Sequence, residues 1–488
     1  MDARLGTVGR AHYERHDELF FGHNGTTQAE VLLLEAVAPF SVILRNAALP
    51  WLFMGRRFTT SNRYWLKFIL DFSFLVVPVI LSLTLLAEHI AMILLAEGIA
   101  LVSLIIFYLY EYCYFTCEKP PLRYVINQVI DDQHTPTMFI TYIRSMVLIT
   151  TAVAILAVDF NVFPRRFAKT ETYGRSIMDV GTASFTFCAA LTNAFRHYPN
   201  RVMTRATIPR RLSFLYSTTM ILLYLGFGRM LILKLLDYPE HVSEYGVHWN
   251  FFFTLACIRI VTKLLGRRLH LFFGIAFAVV YQFLLEENKL QDWLLSSSVK
   301  RDDFLSANRE GVFSLLGYLS FYYFSSALAT FVSKTGIRLK SWIYHGLQLF
   351  LWSFILFGVQ KLMESFFGPP SRRIFNVPHI FEMLVFHTLL TACFLFVQIA
   401  SLFGWAAQMP QFSPDESPFE LVKPCLLRAI NRHAMSFFLL SNILTGAINI
   451  SSLREHCSGD YAQTALISLY TIVVCRFIFG FSRRDSSC

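Results

Sequence analysis

Apolar runs of about 20 residues recur along the whole 488-residue chain, separated by short polar connections. An α-helix of that length crosses the ~30 Å hydrocarbon core of a bilayer. Short connections place neighbouring helices antiparallel. The sequence therefore predicts an all-α fold, a polytopic transmembrane helical bundle of about 13 spans. The predicted spans are 29–52, 65–88, 90–110, 138–158, 177–195, 212–236, 247–265, 269–286, 311–332, 341–365, 378–402, 430–450 and 461–481.

The composition leaves no room for a sizeable soluble domain. Only 16% of the residues are charged and 55% are hydrophobic, whereas soluble domains carry about 25% charged residues. The first 28 residues are polar and lack the apolar core of a signal peptide, so the first apolar run would act as an uncleaved anchor. We expect a luminal N-terminal segment at 1–28, a single membrane domain at 29–481 and a cytosolic tail at 482–488.

The net charge of +10 comes mostly from Lys and Arg in the short connections. No nucleic-acid-binding motif accompanies them, so we expect no nucleic-acid partner. With the predicted spans they fall on one side, which the positive-inside rule makes cytosolic. The N-terminus and the acidic sixth connection then lie on the opposite side. The basic clusters are Arg56, Arg57, Arg63 and Lys67; Arg196, Arg201, Arg205, Arg210 and Arg211; Lys263, Arg267 and Arg268; Lys334, Arg338 and Lys340; and Arg483 and Arg484.

One connection, the signature segment at 159–176, breaks this charge rule. It carries Arg165, Arg166, Lys169 and Arg175 on the non-cytosolic side. Either the span count is wrong there, or the segment binds something anionic. Three further polar segments, at 244–250, 306–311 and 371–373, are predicted on the same side.

Two ionisable residues, Asp179 and Arg229, lie in the adjoining halves of predicted spans. An ionisable group inside a span is costly and normally faces the bundle interior or a wet cavity. Together with the polar segments, these residues favour one polar cavity that opens on the non-cytosolic side. Structural ion pairs and helix caps are the alternative for each residue taken singly.

The chemistry of such a cavity is limited by the motifs that the sequence lacks. It contains no GxSxG elbow, P-loop or HExxH motif. A direct transfer between two bound substrates needs only a base, charge stabilisation and positioning. Asp159 is a candidate base, and Lys169 could stabilise a developing oxyanion, although a salt bridge between them is equally compatible with the spacing. His248 is a second candidate base, or a structural hydrogen-bond donor.

The polar segments together resemble the PIG-W family, the glucosaminyl-phosphatidylinositol inositol acyltransferases of GPI-anchor biosynthesis. The likeness runs in order from about residue 140 to residue 450, and segments 244–253, 306–318 and 440–446 contribute to it. Residues 180–185 depart from the more Gly- and Val-rich family pattern. The most specific matches are Ala157-Val158-Asp159-Phe160, Phe163-Pro164-Arg165-Arg166-Phe167-Ala168-Lys169-Thr170-Glu171-Thr172-Tyr173-Gly174 and Ser176-Ile177-Met178-Asp179.

The resemblance implies transfer of a fatty acyl group, typically palmitoyl, from acyl-CoA to the inositol ring of glucosaminyl-phosphatidylinositol. It also implies a multi-pass protein of the endoplasmic reticulum membrane with about thirteen spans and a luminal active site. Asp159 and Lys169 fall on the family positions expected to be catalytic. We expect no cofactor and no metal, with acyl-CoA as co-substrate. The substrate-binding residues expected are Arg165, Arg166, Glu171, Tyr173, Asp179, Arg229, Trp249, Asn250, Asn308 and Arg309.

Two other functions stay open at the level of sequence. A lipid transporter or flippase would also need charged intramembrane residues, although no inverted repeat and no pair of broken spans is evident. A non-catalytic subunit of a lipid-modifying complex is the second alternative.

Overall fold

The structure is a computed structural model in which the regular secondary structure is helical throughout the described residues. One isolated backbone bridge joins Gly25 to Arg175. The predicted all-α fold is therefore confirmed. The basic residues Arg56, Arg57, Arg338 and 196–211 lie outside the described residues, as does most of the predicted N-terminal segment. The described residues are 25–53, 60–114, 138–195, 217–235, 242–266, 268–287, 289–296, 300–334, 339–408, 425–451, 453 and 457–485.

The helices are numbered α1 to α18 along the described residues. Two short 3₁₀ turns, Ala87–His89 and Arg165–Phe167, lie between them. The α-helices are α1 Gln28–Phe53, α2 Thr60–Leu75, α3 Val77–Leu83, α4 Ile90–Tyr114, α5 Met138–Ala157, α6 Ile177–Phe195, α7 Thr218–Leu235, α8 Val242–Tyr245, α9 Phe251–Leu265, α10 His270–Glu287, α11 Leu290–Leu295, α12 Phe304–Ala307, α13 Arg309–Ser333, α14 Leu339–Phe367, α15 Val377–Gln408, α16 Leu426–Arg432, α17 Ala434–Ile450 and α18 Asp460–Asp485.

Every predicted span contains a helix, because an apolar chain inside a bilayer satisfies its backbone only by internal hydrogen bonds. Among the described residues, 10 helices are long and apolar enough to cross a membrane, or up to 11 if the bent pair α16–α17 is one span. Helix α9 has only 15 residues, and α6 is not among the ten. The polytopic architecture is therefore confirmed, and the count of thirteen is not.

The chain forms two compact units. The first unit comprises Met1–Thr26, Ala168–Lys334 and Leu351–Thr388. The second unit comprises Thr27–Phe167, Thr335–Phe350 and Leu389–Cys488. The single membrane domain at 29–481 stays a prediction.

Helix α13 is the centre of the first unit, where it packs against α6, α8, α9 and α10. Small residues allow these helices to approach closely, as is usual between membrane helices. A Cβ atom at Gly274 of α10, for example, would lie 3.0 Å from the ring of Phe324 on α13. The close packing fixes the ends of these helices, from which the polar connections emerge.

In the second unit, α1 packs against α2, α3 and α4, and α5 packs against α16, α17 and α18. Its core contains a fully buried ion pair, with Arg45 Nε 2.7 Å from Asp71 Oδ1. Beside it, the Asn46 amide donates to Ser401 Oγ over 2.9 Å. A buried charge pair is tolerated only where partners satisfy its remaining polar atoms. The Asp71 carboxylate meets this condition by accepting from the Leu426 backbone N–H at 2.8 Å.

Candidate active site

The C-terminal half of the signature segment, residues 168–176, is fixed to other connections of the first unit. Thr26 donates its backbone N–H to the Arg175 carbonyl over 2.6 Å, next to the bridge formed by Gly25. The Gly174 N–H donates to the Pro370 carbonyl at 3.1 Å, and the Ser371 hydroxyl donates to the Thr172 carbonyl. These contacts to backbone atoms of the segment hold it in one position, and the Arg175 side chain adds ion pairs to Glu364 and Glu382.

Lys169 forms an ion pair with Glu244 of α8. Lys169 Nζ lies 2.6 Å from Glu244 Oε1, and the lysine side chain is 33% exposed. The sequence also allowed a salt bridge between Lys169 and Asp159, but the observed partner of Lys169 is Glu244. An ammonium group carries three N–H donors, so Lys169 can donate to Glu244 and still present a donor to a substrate oxygen.

Arg372 links the same glutamate to the start of α6. Its Nε lies 2.9 Å from Asp179 Oδ1, and its Nη2 lies 3.7 Å from Glu244 Oε1. Thr170 also binds Asp179, through its backbone N–H at 3.2 Å and its hydroxyl at 2.9 Å. Because Asp179 is 1% exposed, these partners are what allow a carboxylate to remain there. Lys169, Glu244, Arg372 and Asp179 are called the ion cluster below.

The two cations of the ion cluster keep Glu244 ionised. Burial alone would raise the pKa of this carboxyl, but the charges of Lys169 and Arg372 outweigh burial and lower the pKa to about 2, with Arg229 acting in the same direction. Burial lowers the pKa of the Arg372 guanidinium, and the opposite charges of Glu244 and Asp179 reverse this and raise it. Glu244 and Arg372 are therefore both charged at neutral pH.

A pair of tyrosines lies next to the ion cluster. Tyr245 follows Glu244 directly, and its hydroxyl is hydrogen-bonded to that of Tyr318 on α13. The Tyr318 hydroxyl donates in turn to Thr182 Oγ1 of α6 at 2.9 Å. Burial raises the pKa of Tyr245 well above its ordinary value, so its phenol stays protonated and can act as a hydrogen-bond donor.

Two asparagines of the predicted site order the turn between α8 and α9. The Asn250 side chain accepts from the N–H groups of Phe252 and Phe253 and thereby caps α9. Asn308 is fully buried, and its Oδ1 accepts from the N–H groups of His248 at 2.7 Å and Trp249 at 2.9 Å. The structure thus brings segments 244–250 and 306–311 together, as predicted, while the amides of both asparagines are engaged with the backbone.

The other residues expected in this part of the site are more dispersed. Tyr173 accepts a hydrogen bond from the Gln291 amide at 2.6 Å, and burial, followed by the charge of Asp292, raises the pKa of its phenol. Glu171 is half-buried. Arg229 is exposed on α7 and acts on Glu244 through its charge.

Arg309, the last expected binding residue, belongs to a second charged cluster of the first unit. It is fully buried, and its guanidinium lies over the ring of Trp293 at 5.3 Å. Its neighbour Glu310 accepts from Arg301 at 2.7 Å and from Arg373 at 2.9 Å. This grouping of Arg301, Arg309 and Arg373 around Glu310 is called the arginine cluster below.

The N-terminal half of the signature segment lies in the second unit and contains Asp159. This residue follows the C-terminus of α5, is 5% exposed, and accepts a hydrogen bond from the Asn449 amide at 2.8 Å. Asn449 is near the end of α17. The position at the exit of an apolar helix agrees with the prediction for this residue, and its role as a base stays a prediction.

Arg165 and Arg166 already have protein partners in the second unit. Arg165 donates to the carbonyl groups of Val158 at 2.8 Å and Phe160 at 2.9 Å, in the turn that follows α5. Arg166 lies 2.9 Å from a Glu30 oxygen and 2.5 Å from a Glu88 oxygen. Both arginines thus hold the segment in place, and their role in substrate binding stays a prediction.

Five charged residues that complete these clusters had no role predicted from the sequence: Glu244, Arg372, Arg301, Glu310 and Arg373. Four of them lie in polar segments that were predicted on one side of the membrane, and Arg301 lies just before one. The signal that could have identified them is the density of charged residues at the ends of apolar runs. The pairing of Lys169 with Glu244 and of Arg373 with Glu310 had no local signal, because these partners are 75 and 63 residues apart.

The fold and the charged clusters define a polytopic α-helical membrane protein whose connecting segments form ordered ion-paired sites. The family model for GWT1 matches residues 12–481. The chain therefore belongs to the GWT1 family.

Curated relatives agree over almost the full length. The mouse protein named glucosaminyl-phosphatidylinositol-acyltransferase PIGW is 31% identical over 490 residues, covering 93% of this chain and 95% of its own length. The human protein of the same name is 30% identical, with coverage of 95% and 96%. GPI-anchored wall transfer protein 1 of Aspergillus fumigatus is 32% identical over 383 residues, or 73% of this chain and 76% of its own. The resemblance to PIG-W acyltransferases is thereby confirmed, and the chain is an acyltransferase.

Proposed function

We propose that the protein transfers a fatty acyl group from acyl-CoA to an inositol hydroxyl of glucosaminyl-phosphatidylinositol. The observation that carries the proposal is the match to proteins named for action on this lipid across 93% of the chain. The fixed position of Lys169 in the signature segment also supports the proposal, because Lys169 forms a 2.6 Å ion pair with Glu244. We place the reaction at the luminal side of the endoplasmic reticulum membrane, with the N-terminus luminal and the C-terminus cytosolic.

The chemical step needs a base and a stabilised oxyanion. The hydroxyl oxygen attacks the thioester carbonyl, the hydroxyl proton passes to a carboxylate, and the C–O bond forms. The tetrahedral oxyanion then collapses, the C–S bond breaks, and the CoA thiolate leaves and takes up a proton. In this proposal Asp159 accepts the proton, with His248 as the second candidate for this role. Lys169 donates to the oxyanion.

The contacts of these residues support separate roles. Asp159 Oδ2 accepts a hydrogen bond from the neutral Asn449 amide at 2.8 Å, which orients the carboxylate. Lys169 is one-third exposed and anchored by an ionised partner, which fixes its position while leaving N–H donors for a ligand. Because each assignment rests on its own contacts, each is tested by its own variant.

The remaining expected residues bind substrate in this proposal. Asp179 and Arg229 contribute charge near Glu244, and Tyr173, Trp249 and Arg309 contribute polar atoms and ring surfaces. Trp249 already donates its indole N–H to Thr254 at 2.9 Å, so its ring face is the surface it can offer. Glu171, Asn250 and Asn308 are three further members of the set predicted from the sequence.

The experiment uses the full-length protein, purified and reconstituted in nanodiscs. It receives radiolabelled palmitoyl-CoA and glucosaminyl-phosphatidylinositol, and the lipid products are separated. We expect an acylated lipid whose formation requires both substrates and whose label is lost on mild alkaline cleavage of the ester. Phosphatidylinositol without glucosamine serves as the acceptor control. If a well-folded preparation forms no acylated product, the proposal is wrong, and a transporter or accessory subunit becomes the better assignment.

A further inference from the structure

The arginine cluster holds more positive charge than the protein neutralises. Arg301, Arg309 and Arg373 all face Glu310, and among the described residues no other carboxylate lies within salt-bridge distance of the three. Glu310 is 1% exposed and Arg309 is 0% exposed. Desolvated guanidinium groups are costly unless an anion pairs with them. One carboxylate for three buried or half-buried cations therefore leaves the cluster short of negative charge.

Several N–H groups in the cluster also lack an acceptor. Among the described residues, Nε and Nη1 of Arg309 and Nε of Arg373 are buried without a hydrogen-bond partner. The shortest approach of Arg309 Nε to a carboxylate is 3.5 Å, to Glu310 Oε1. Buried polar atoms are nearly always satisfied in folded proteins, and the exceptions call for an explanation. A bound ligand with acceptor oxygens would supply one.

The neighbouring contacts keep the guanidinium groups fixed. Arg309 lies over the Trp293 ring and donates to the Ser296 carbonyl. Arg373 donates to the Leu294 carbonyl at 3.2 Å. Arg301 donates to the Ala307 carbonyl at 3.1 Å and, with its side chain 23% exposed, is the cluster member in contact with solvent. The donors are thus preorganised, and a ligand can reach them from the side of Arg301.

We infer that the arginine cluster binds a phosphate group of a substrate. Phosphate matches the cluster because its oxygens accept the paired N–H groups of arginine in a bidentate manner and carry the missing negative charge. The inference rests on the proposed function in one respect, namely that both substrates carry phosphate. The phosphate belongs either to CoA or to the inositol lipid, and binding measurements separate the two.

The first test compares Arg301→Gln with Lys300→Gln in the full-length protein. Lys300 is the adjacent, exposed basic residue, so this control makes the same change of charge outside the cluster. Binding of CoA and of glycerophosphoinositol is measured separately by calorimetry. We expect Arg301→Gln to weaken one of them at least about 10-fold, as for a lost charged hydrogen bond, and Lys300→Gln to leave both unchanged. Weaker binding of CoA would show that the cluster binds a phosphate of CoA. Weaker binding of glycerophosphoinositol would show that it binds the phosphate of the inositol lipid. Unchanged binding of both overturns the inference.

The second test uses Glu310→Gln, for which a phosphate site and a purely structural cluster predict opposite results. Removal of the carboxylate leaves three cations without an anion, so the variant should lose thermal stability in phosphate-free buffer. A ligand that binds only the folded state then restores stability. We expect inorganic phosphate to raise the melting temperature of Glu310→Gln more than that of the wild type. A loss of stability that phosphate does not reduce overturns the inference, even where Arg301→Gln fails to fold.

Failure of the phosphate site can be distinguished from failure of the proposed function, because neither test requires acyl transfer. If no acylated lipid forms while Arg301→Gln still loses CoA binding, the proposed reaction is wrong and the phosphate site stands. If transfer proceeds and Arg301→Gln alters neither binding nor the KM of either substrate, the site is wrong and the reaction stands.

Discussion

Lys169 Nζ and Glu244 Oε1 are 2.6 Å apart, and Arg372 Nη2 lies 3.7 Å from the same oxygen. The lysine is therefore the exposed end of a chain of fixed charges, whose buried end is Asp179. Such an arrangement places a positive charge without conformational freedom, which is what electrostatic stabilisation of a transition state requires. A flexible surface lysine would have to be ordered by the substrate first.

Lys169→Gln should therefore lower kcat by on the order of 10²-fold, because it removes a preorganised charge from the oxyanion. We expect the KM values to change much less, since the interaction is made mainly in the transition state. Lys361→Gln is the matched control, because Lys361 also pairs with a glutamate, Glu364, at 2.8 Å but is 46% exposed. Equal losses of kcat in the two variants would show that Lys169 has no special role.

The lowered pKa of Glu244 predicts the pH dependence of stability. The folded-state pKa of about 2 lies below the ordinary value of 4.5. The ion cluster therefore contributes its full stabilisation above pH 4.5 and loses it as the pH falls through 2. The difference in unfolding free energy between wild type and Glu244→Gln should be constant near neutral pH and shrink between pH 4.5 and pH 2. A difference that changes mainly between pH 6 and pH 8 would assign the effect to another group.

The positions of the helices could be predicted from the sequence because the bilayer leaves an apolar chain of about 20 residues few alternatives. Breaks of the helices inside the apolar runs could not be predicted from the sequence. The predicted span at 430–450 is two helices that meet at His433 with a bend of 92°. Neither Gly nor Pro lies at this position, so the break depends on tertiary packing that the local sequence does not encode.

The candidate site was predicted in part. The sequence indicated which connections share a side, because the charge rule and the span count act on the whole chain. It could not indicate that Lys169 pairs with Glu244, 75 residues away, because such partners are set by how the helices pack. Nor could it indicate that the Asn250 side chain caps α9; the role of Asn250 in substrate binding stays a prediction.

Arg166 should contribute mainly to stability. Its guanidinium binds Glu30 and Glu88, and the arginine side chain is 30% exposed. Partly exposed ion pairs of this kind contribute about 1 kcal/mol or less. We expect Arg166→Gln to lower the free energy of unfolding by about that amount with little change in kinetics, measured against the exposed control Arg268→Gln. A higher KM at unchanged stability would instead support the role in phosphate binding predicted from the sequence.

The orientation of the chain gives a prediction that needs no activity assay. From the basic clusters we predict the signature segment on the luminal side and the C-terminus on the cytosolic side. Thr172 is exposed in the structure, so a cysteine there should be accessible to reagents. In a variant without the native cysteines, an impermeant maleimide added to sealed microsomes should label Ser486→Cys at once and Thr172→Cys only after permeabilisation. Simultaneous labelling of both would show that the span count is wrong.

Asp159→Asn is the most direct test of the proposed base. In the wild type, the Asn449 amide donates to Asp159 Oδ2 at 2.8 Å. The substitution keeps the size of the side chain and an oxygen that can accept this hydrogen bond, so folding should be close to normal. It removes the basic carboxylate, and general-base catalysis typically contributes 10²–10⁴-fold. We expect kcat to fall within that range, while Asp460→Asn, at the exposed start of α18, leaves it unchanged. Full turnover by well-folded Asp159→Asn would exclude Asp159 as the base, and His248→Gln would then be the variant expected to lose activity.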